Sequence, residues 1–282
     1  MQGLMQDAPL TINHIFDRAE KYHGHKEIIT STGTGLERTT YAEFAGRTRQ
    51  LAGVLDTLGI SADGRVATFA WNTARHLELY FAAPCTGRVL HTLNIRLFPE
   101  QLTYIVNHAD DEVIFVDRSI LALLAPLLPT FANLKHLVLM DDGKGDIPED
   151  LAGHTLLNYE DLLAAEEPID FPAIADERQA ASMCYTSGTT GNPKGVVYSH
   201  RSTFMHTMAA MMVDSLAACE SDVILPVVPM FHANAWGLAH AAVATGASLI
   251  MPGADLSGPA LANLIVEQRV TVAAGVPTIW MA

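Results

Sequence analysis

The residues of this chain best suited to chemistry form the run Tyr185-Thr186-Ser187-Gly188-Thr189-Thr190-Gly191-Asn192-Pro193-Lys194-Gly195. It lies between an apolar stretch, Ala180 to Tyr185, and a second that begins at Val196. Its glycines allow a tight turn with backbone N–H groups pointing inward. The hydroxyls of Thr186, Ser187, Thr189 and Thr190 and the Lys194 ammonium add further donors, a set that suits a polyphosphate anion. The chemistry this predicts is nucleotide handling. The common phosphate loop G-x-x-x-x-G-K-S/T does not fit. Aligning its lysine with Lys194 puts Pro193 where the second glycine belongs and Gly195 where the magnesium-binding hydroxyl belongs.

Such a loop needs strands to carry it, and the flanking sequence supplies them in an alternating pattern. Ile12, Ile15, Phe16 and Ala19 recur at helical spacing within Thr11 to Tyr22. Thr40-Tyr41-Ala42-Glu43 is a capping box opening a second helix that ends at Gly59. Strands are expected at Val66 to Ala70, Val89 to Leu93, Glu112 to Val116 and Leu137 to Met140. The helices between them are Thr73 to Ala83, Pro99 to His108 and Ile120 to Leu128. Beyond the loop, helices at Ser202 to Leu216, Ala233 to Ala244 and Gly258 to Gln268 alternate with strands at Val223 to Val228, Ser248 to Met251 and Val270 to Ala274. Glu166 to Pro172, with two prolines among acids, reads as a linker. The expected division is therefore an α/β subdomain over 1–168 and a second, carrying the loop, over 169–282.

Composition narrows the function classes. A chain of 282 residues can bury a sizeable core, and a net charge of −14 disfavours nucleic acid. The longest apolar run, Ile120 to Leu128, is too short to span a bilayer and contains a proline. Asp7 and the lack of an early basic cluster argue against a signal peptide and for the cytoplasm. Cys85, Cys184 and Cys219 are widely spaced and read as reduced thiols. His200, His206, His232 and His240 lack metal-ligand spacing, and the Met205, Met208, Met211, Met212 face reads as packing.

The run at 186–195 resembles, residue for residue, the signature S/T-S/T-G-S/T-T-G-x-P-K-G of the adenylate-forming superfamily, which includes acyl-CoA synthetases, luciferases and peptide-synthetase adenylation domains. Val228-Pro229-Met230-Phe231-His232-Ala233-Asn234-Ala235-Trp236-Gly237 resembles that family's P-L/M-F-H-x-N-x-x-G segment, and its A-W-G form resembles the medium- and long-chain fatty-acyl branch. Val270 to Trp280 resembles the T-x-x-x-G-V-P-T wall of the acyl pocket. The likeness runs from about residue 10 to the end. Taken alone, Phe231 and Trp236 could equally be core aromatics and His232 an interior histidine.

The resemblance implies the N-terminal large domain of an adenylate-forming enzyme, with stacked βαβ subdomains, mixed and parallel sheets, and the later elements and small C-terminal domain missing. It implies ATP, Mg²⁺ and CoA as reactants and a fatty acid as the small-molecule carboxylic acid. Thr186, Ser187, Gly188, Thr189, Thr190, Gly191 and Lys194 would surround the β- and γ-phosphates, with Thr186 also a magnesium ligand. His232 would sit near the reacting carboxylate, and Trp236, Gly275, Val276, Pro277 and Thr278 around the acyl chain. If Ala233 opens a helix, His232 and Trp236 share a face. By the same resemblance the chain alone is expected to be inactive. Transfer to a carrier-protein thiol and a nucleotide-binding protein without turnover are the alternatives, and a homodimer stays open.

Overall fold

The computed structural model describes Met1, residues 3–186 and residues 191–281; Gln2, residues 187–190 and Ala282 lie outside the described residues. The chain begins with α1 (Ile12–His23), β1 (Glu27–Ser31), β2 (Leu36–Thr40) and α2 (Tyr41–Thr57). It continues through β3 (Arg65–Phe69), α3 (Ala74–Cys85), β4 (Val89–Thr92), α4 (Pro99–Ala109), β5 (Asp111–Asp117), α5 (Arg118–Leu124), β6 (His136–Met140), β7 (Leu156–Asn158) and α6 (Tyr159–Ala164). Then come β8 (Ala180–Thr186), β9 (Lys194–Ser199), α7 (His200–Met211), β10 (Val223–Pro226), α8 (Leu238–Thr245), β11 (Ser248–Met251), α9 (Gly258–Glu267), β12 (Val272–Ala274) and α10 (Pro277–Trp280).

Local sequence accounts for several of these boundaries. The capping box is formed as expected: the Glu43 N–H donates to Thr40 Oγ1 at 3.2 Å, and the Thr40 N–H donates to Glu43 Oε2 at 2.8 Å. Three expected helices differ, the first only in length: Ser202 to Leu216 is helical no further than Met211. Ile120 to Leu128 is α-helical only as far as Leu124 and tightens to a 3₁₀ turn at Ala125–Thr130. Pro126 and Pro129 have no N–H to continue an α-helix. Ala233 to Ala244 becomes right-handed only at Leu238, for reasons that belong to the site.

Two sheets result. One has seven strands in the order β7-β6-β5-β3-β4-β8-β9 and the other five in the order β12-β10-β11-β1-β2. Neighbours run parallel except β8 with β9 and β1 with β2. Alternate residues of the buried central strands face different cores, the period that a pleated strand imposes. Val113 and Phe115 of β5 face one core, while Ile114 and Val116 face the other. Ile224 of β10 and Leu249 of β11 join that first core, while Leu225 and Ile250 pack with α9. The middle layer, built by α1, α2, α3, α6 and α8, is thus shared by both sheets. Parallel strands buried on both faces leave their ends as the places where polar groups reach water.

Both sheets draw strands from either side of residues 168 and 169. Because β7 lies at one edge of the seven-stranded sheet and β8 near the other, the segment around Glu166 to Pro172 must cross α2. There the Thr57 hydroxyl donates to Glu166 at 2.6 Å, the Ile169 N–H donates to the Arg49 carbonyl at 3.4 Å, and Phe171 meets Phe16 edge-on. The β1–β2 hairpin was not expected from the sequence. Its second strand, Leu-Glu-Arg-Thr-Thr, is largely exposed and carries no apolar alternation. Of the expected methionine face, Met205 on α7 and Met212 just beyond it are exposed rather than packed.

Burial pushes the imidazoles of His76, His200 and His240 down to about 4. An unfolded histidine titrates near about pH 6.5. Between that pH and about 4 the unfolded chain binds protons that the folded chain does not, so stability is present above the window and lost as pH falls through it. Asp117, pushed up by burial to about 7, acts in the opposite sense over the same window, so the histidines are best followed one by one: their imidazole proton resonances should stay unshifted from about pH 7.5 down to about pH 5. Resonances that move with a midpoint near about pH 6.5 would contradict neutral, buried histidines at these positions.

Candidate active site

The described residues of the glycine- and hydroxyl-rich sequence belong to the β8–β9 hairpin. Strand β8 runs parallel to β4 and ends at Thr186, and β9 returns antiparallel so that Thr186 and Lys194 are Cα partners. Both side chains are exposed at the carboxyl end of β8, and Pro193 is buried beside them. Gly191 has φ +89, a conformation that favours glycine, and a Cβ on Gly195 would lie 3.2 Å from the Tyr185 ring. Tyr185 is fixed in turn by its hydroxyl, 2.6 Å from His108 Nδ1. Ser187, Gly188, Thr189 and Thr190 lie outside the described residues.

The second segment is held by a side chain from the first half of the chain. Asn72 follows β3, and its Nδ2 donates to the carbonyls of Pro226 at 2.8 Å and Val228 at 3.0 Å, while its Oδ1 accepts from the Met230 N–H at 2.8 Å. The Tyr80 hydroxyl also donates to the Met230 carbonyl. This clamp delivers Phe231 to the core and leaves His232 exposed. The expected helix does not begin there. Ala233, Asn234, Ala235 and Trp236 have φ of 45, 48, 51 and 54°, and Gly237 has φ 74°. His232 and Trp236 therefore do not share the face of a right-handed helix.

Left-handed backbone costs a non-glycine residue about 1–2 kcal/mol, with asparagine the best tolerated. The turn persists because it is anchored at both ends. Asn234 Nδ2 donates to Ser182 Oγ on β8 at 2.8 Å, and His206 Nε2 on α7 lies 2.9 Å from the Trp236 carbonyl. Between α7 and the turn is a cavity of about 490 Å³, lined by Tyr198, Thr203, His206, Trp236, Gly237 and His240 among others. Its volume suits a small organic ligand. His240, kept neutral by burial, presents no charge to it.

The third segment lies elsewhere. The N–H groups of Val227 and Val228 both donate to the Ala274 carbonyl at 2.9 Å, tying β12 to the chain just before the clamp. Trp280 folds back so that its Nε1–H donates to the Gly275 carbonyl at 3.0 Å, and a Cβ on Gly275 would lie 2.8 Å from that ring. Val276, Pro277 and Thr278 are exposed and are not among the residues around the Trp236 cavity. The structure therefore joins the hairpin to the 232–237 turn directly, and joins Gly275 to Thr278 only to the strand end that precedes the turn. Asn72, Ser182 and His206 hold the site together, and the motifs point to none of them. A lone polar residue just past a strand's carboxyl end was the available signal for Asn72.

Residues 15–282 match the family model described as AMP-binding enzyme. The 3-methylmercaptopropionyl-CoA ligase of Ruegeria lacuscaerulensis is 46% identical over 282 residues, covering 99% of this chain and 52% of that protein. The medium-chain-fatty-acid–CoA ligase of Ectopseudomonas oleovorans is 43% identical over 281 residues, covering 99% of this chain and 51% of that protein. Among solved structures, that of the anthranilate CoA ligase AuaEII in complex with anthranoyl-AMP superposes with a TM-score of 0.83 at 22% identity, covering 99% of this chain and 52% of that one. That likeness is one of fold. The chain spans about half the length of the curated relatives it matches.

Replacing Asn72 with alanine strands one N–H and two carbonyls in a buried place. Each stranded group costs about 1–3 kcal/mol, so Asn72→Ala should lower unfolding free energy in urea by about 3 kcal/mol or more. A loss under about 1 kcal/mol would mean that the clamp is dispensable.

Proposed function

The chain belongs to the AMP-binding enzyme family, and on that premise we propose that it forms the N-terminal part of an AMP-forming ligase that joins a fatty acid to CoA. The observation that carries this reading is the 2.8 Å hydrogen bond from Asn234 to Ser182. It sets the His232–Gly237 turn against the strand that ends in the Thr186–Lys194 hairpin tip. On this reading the hairpin end binds the phosphates and the cavity takes the carboxylic acid, two parts carried by the same strand-and-turn unit, and the carboxyl ends of strands are where open α/β sheets bind ligands. Both relatives named above are CoA ligases.

In the proposed reaction a carboxylate oxygen attacks the α-phosphorus of ATP and pyrophosphate leaves. The CoA thiolate then attacks the acyl carbonyl and AMP leaves. Neither step needs a protein nucleophile, so the chain's part is to position the reactants and neutralise charge. Thr186, Lys194 and Gly191, with Ser187, Gly188, Thr189 and Thr190 completing the loop, are assigned to the β- and γ-phosphates. Among the described residues no group of three His, Cys, Asp or Glu side chains converges as a metal site. The Thr186 hydroxyl would be this chain's ligand to Mg²⁺, which when bound would supply charge neutralisation. His232 is assigned to the reacting carboxylate, and Trp236 to the mouth of the acyl cavity. Gly275, Val276, Pro277 and Thr278 are assigned to a further wall of the acyl path.

Two measurements on the protein at the full length of its relatives test the reading. Lys194→Ala should lower kcat/KM for ATP by about 100-fold, the size of one charge-assisted phosphate contact. An unchanged value would mean that the ammonium points away from the nucleotide. Each CH₂ buried in the cavity gains about 0.8 kcal/mol, so kcat/KM should rise steeply from acetate towards octanoate. A flat or acetate-preferring series would remove the fatty-acyl assignment.

A further inference from the structure

The end of the left-handed turn depends on one exposed side chain. A carbonyl only accepts hydrogen bonds, so the 2.9 Å contact between His206 Nε2 and the Trp236 carbonyl requires the proton on Nε2. The same ring covers Gly237. A Cβ added there would lie 2.3 Å from His206 Cδ2, so the imidazole occupies the space that any other residue at 237 would fill. At the other end of the turn Asn234 is tied to β8, and Trp236 stands 46% exposed between the two anchors. His206, Trp236 and Gly237 all line the cavity. The residue that carries the indole is therefore held at the cavity by a bond to its own backbone carbonyl.

We propose that His206 is a specificity-determining residue of the acyl site: by holding the Trp236 carbonyl and packing on Gly237 it fixes where the indole stands, and so how long an acid the cavity accepts. This rests on the reading of the cavity as the acyl site. His206 acts through Trp236 and is a positioning residue. Its substitution leaves the core intact, because the side chain is exposed on α7.

The test has two arms. In the chain with Trp71→Phe and Trp280→Phe, leaving Trp236 as the sole tryptophan, acrylamide quenching and the emission maximum report the indole directly. His206→Ala should raise quenching and shift emission to the red. His206→Gln, which keeps an N–H donor, should restore both, and Gly237→Ala should reproduce the alanine result with the histidine still present. In the full-length protein, the ratio of kcat/KM for octanoate to that for acetate should fall about tenfold in His206→Ala and recover in His206→Gln. Quenching and ratio unchanged in His206→Ala, or a glutamine variant as perturbed as the alanine one, would overturn the proposal. If the parent activates no carboxylic acid at all, the ligase reading fails, and the quenching series still decides whether His206 holds Trp236.

Discussion

A buried residue, Asn72, ties the two sheets of this protein together at their carboxyl ends. Its backbone bridges to Gly253 beyond β11, with the Gly253 N–H donating to the Asn72 carbonyl at 3.1 Å. Its side chain binds the chain on either side of Val227 beyond β10. Gly253 permits this approach because it has φ +66 and a Cβ there would lie 2.3 Å from the Ser31 carbonyl oxygen. A buried amide that satisfies three backbone groups is worth more than its separate bonds suggest, because each group would otherwise be stranded in a low-dielectric interior. Strand β3 belongs to one sheet, and β10 and β11 belong to the other. The placement of the chain beyond β10 is therefore fixed from β3.

The site inherits its geometry from that junction. With Met230 held, the chain has only a short span before it must enter α8, and it covers that span in left-handed backbone. The strain is local and is met by local ties: Asn234 to Ser182 on β8, and His206 to the Trp236 carbonyl. Both ties run to the hairpin or to the helix directly after it, since α7 begins where β9 ends. The turn that lines the cavity is thus bound to the same hairpin whose tip carries Thr186 and Lys194. On the proposed reading, an acyl group entering past Trp236 and a phosphate held between Thr186 and Lys194 would share one frame, which is what an in-line attack of carboxylate on phosphorus requires.

How much of the fold was legible in the sequence depends on the range of the interactions involved. The β8–β9 hairpin, the α2 capping box and the alternation of strands and helices depend on neighbours in sequence, and each appears where local pattern places it. The left-handed turn does not, because Ala-Asn-Ala-Trp reads locally as helix former. The forces opposing that tendency come from Ser182, 52 residues away, and from Met230, held by Asn72 from 158 residues away. The break after Leu124 was readable from Pro126, whose missing N–H outweighs the apolar run around it. The β1–β2 hairpin escaped because β2 is exposed and polar, and its place in the sheet comes only from pairing with β1. The loop that ends at Thr186 and Lys194 was legible as a turn between two strands, while the Asn234 contact that sets the 232–237 turn against β8 was not.

The shared frame of hairpin tip and cavity is tested most directly by a crystal structure of the protein, at the full length of its relatives, bound to a non-hydrolysable sulfamoyl analogue of octanoyl-adenylate with pyrophosphate. Pyrophosphate should lie between Thr186 and Lys194, the sulfamoyl group beside His232, and the alkyl tail should run past Trp236 into the cavity between α7 and the left-handed turn. An alkyl tail lying outside that cavity, or pyrophosphate bound away from the hairpin tip, would contradict a shared frame.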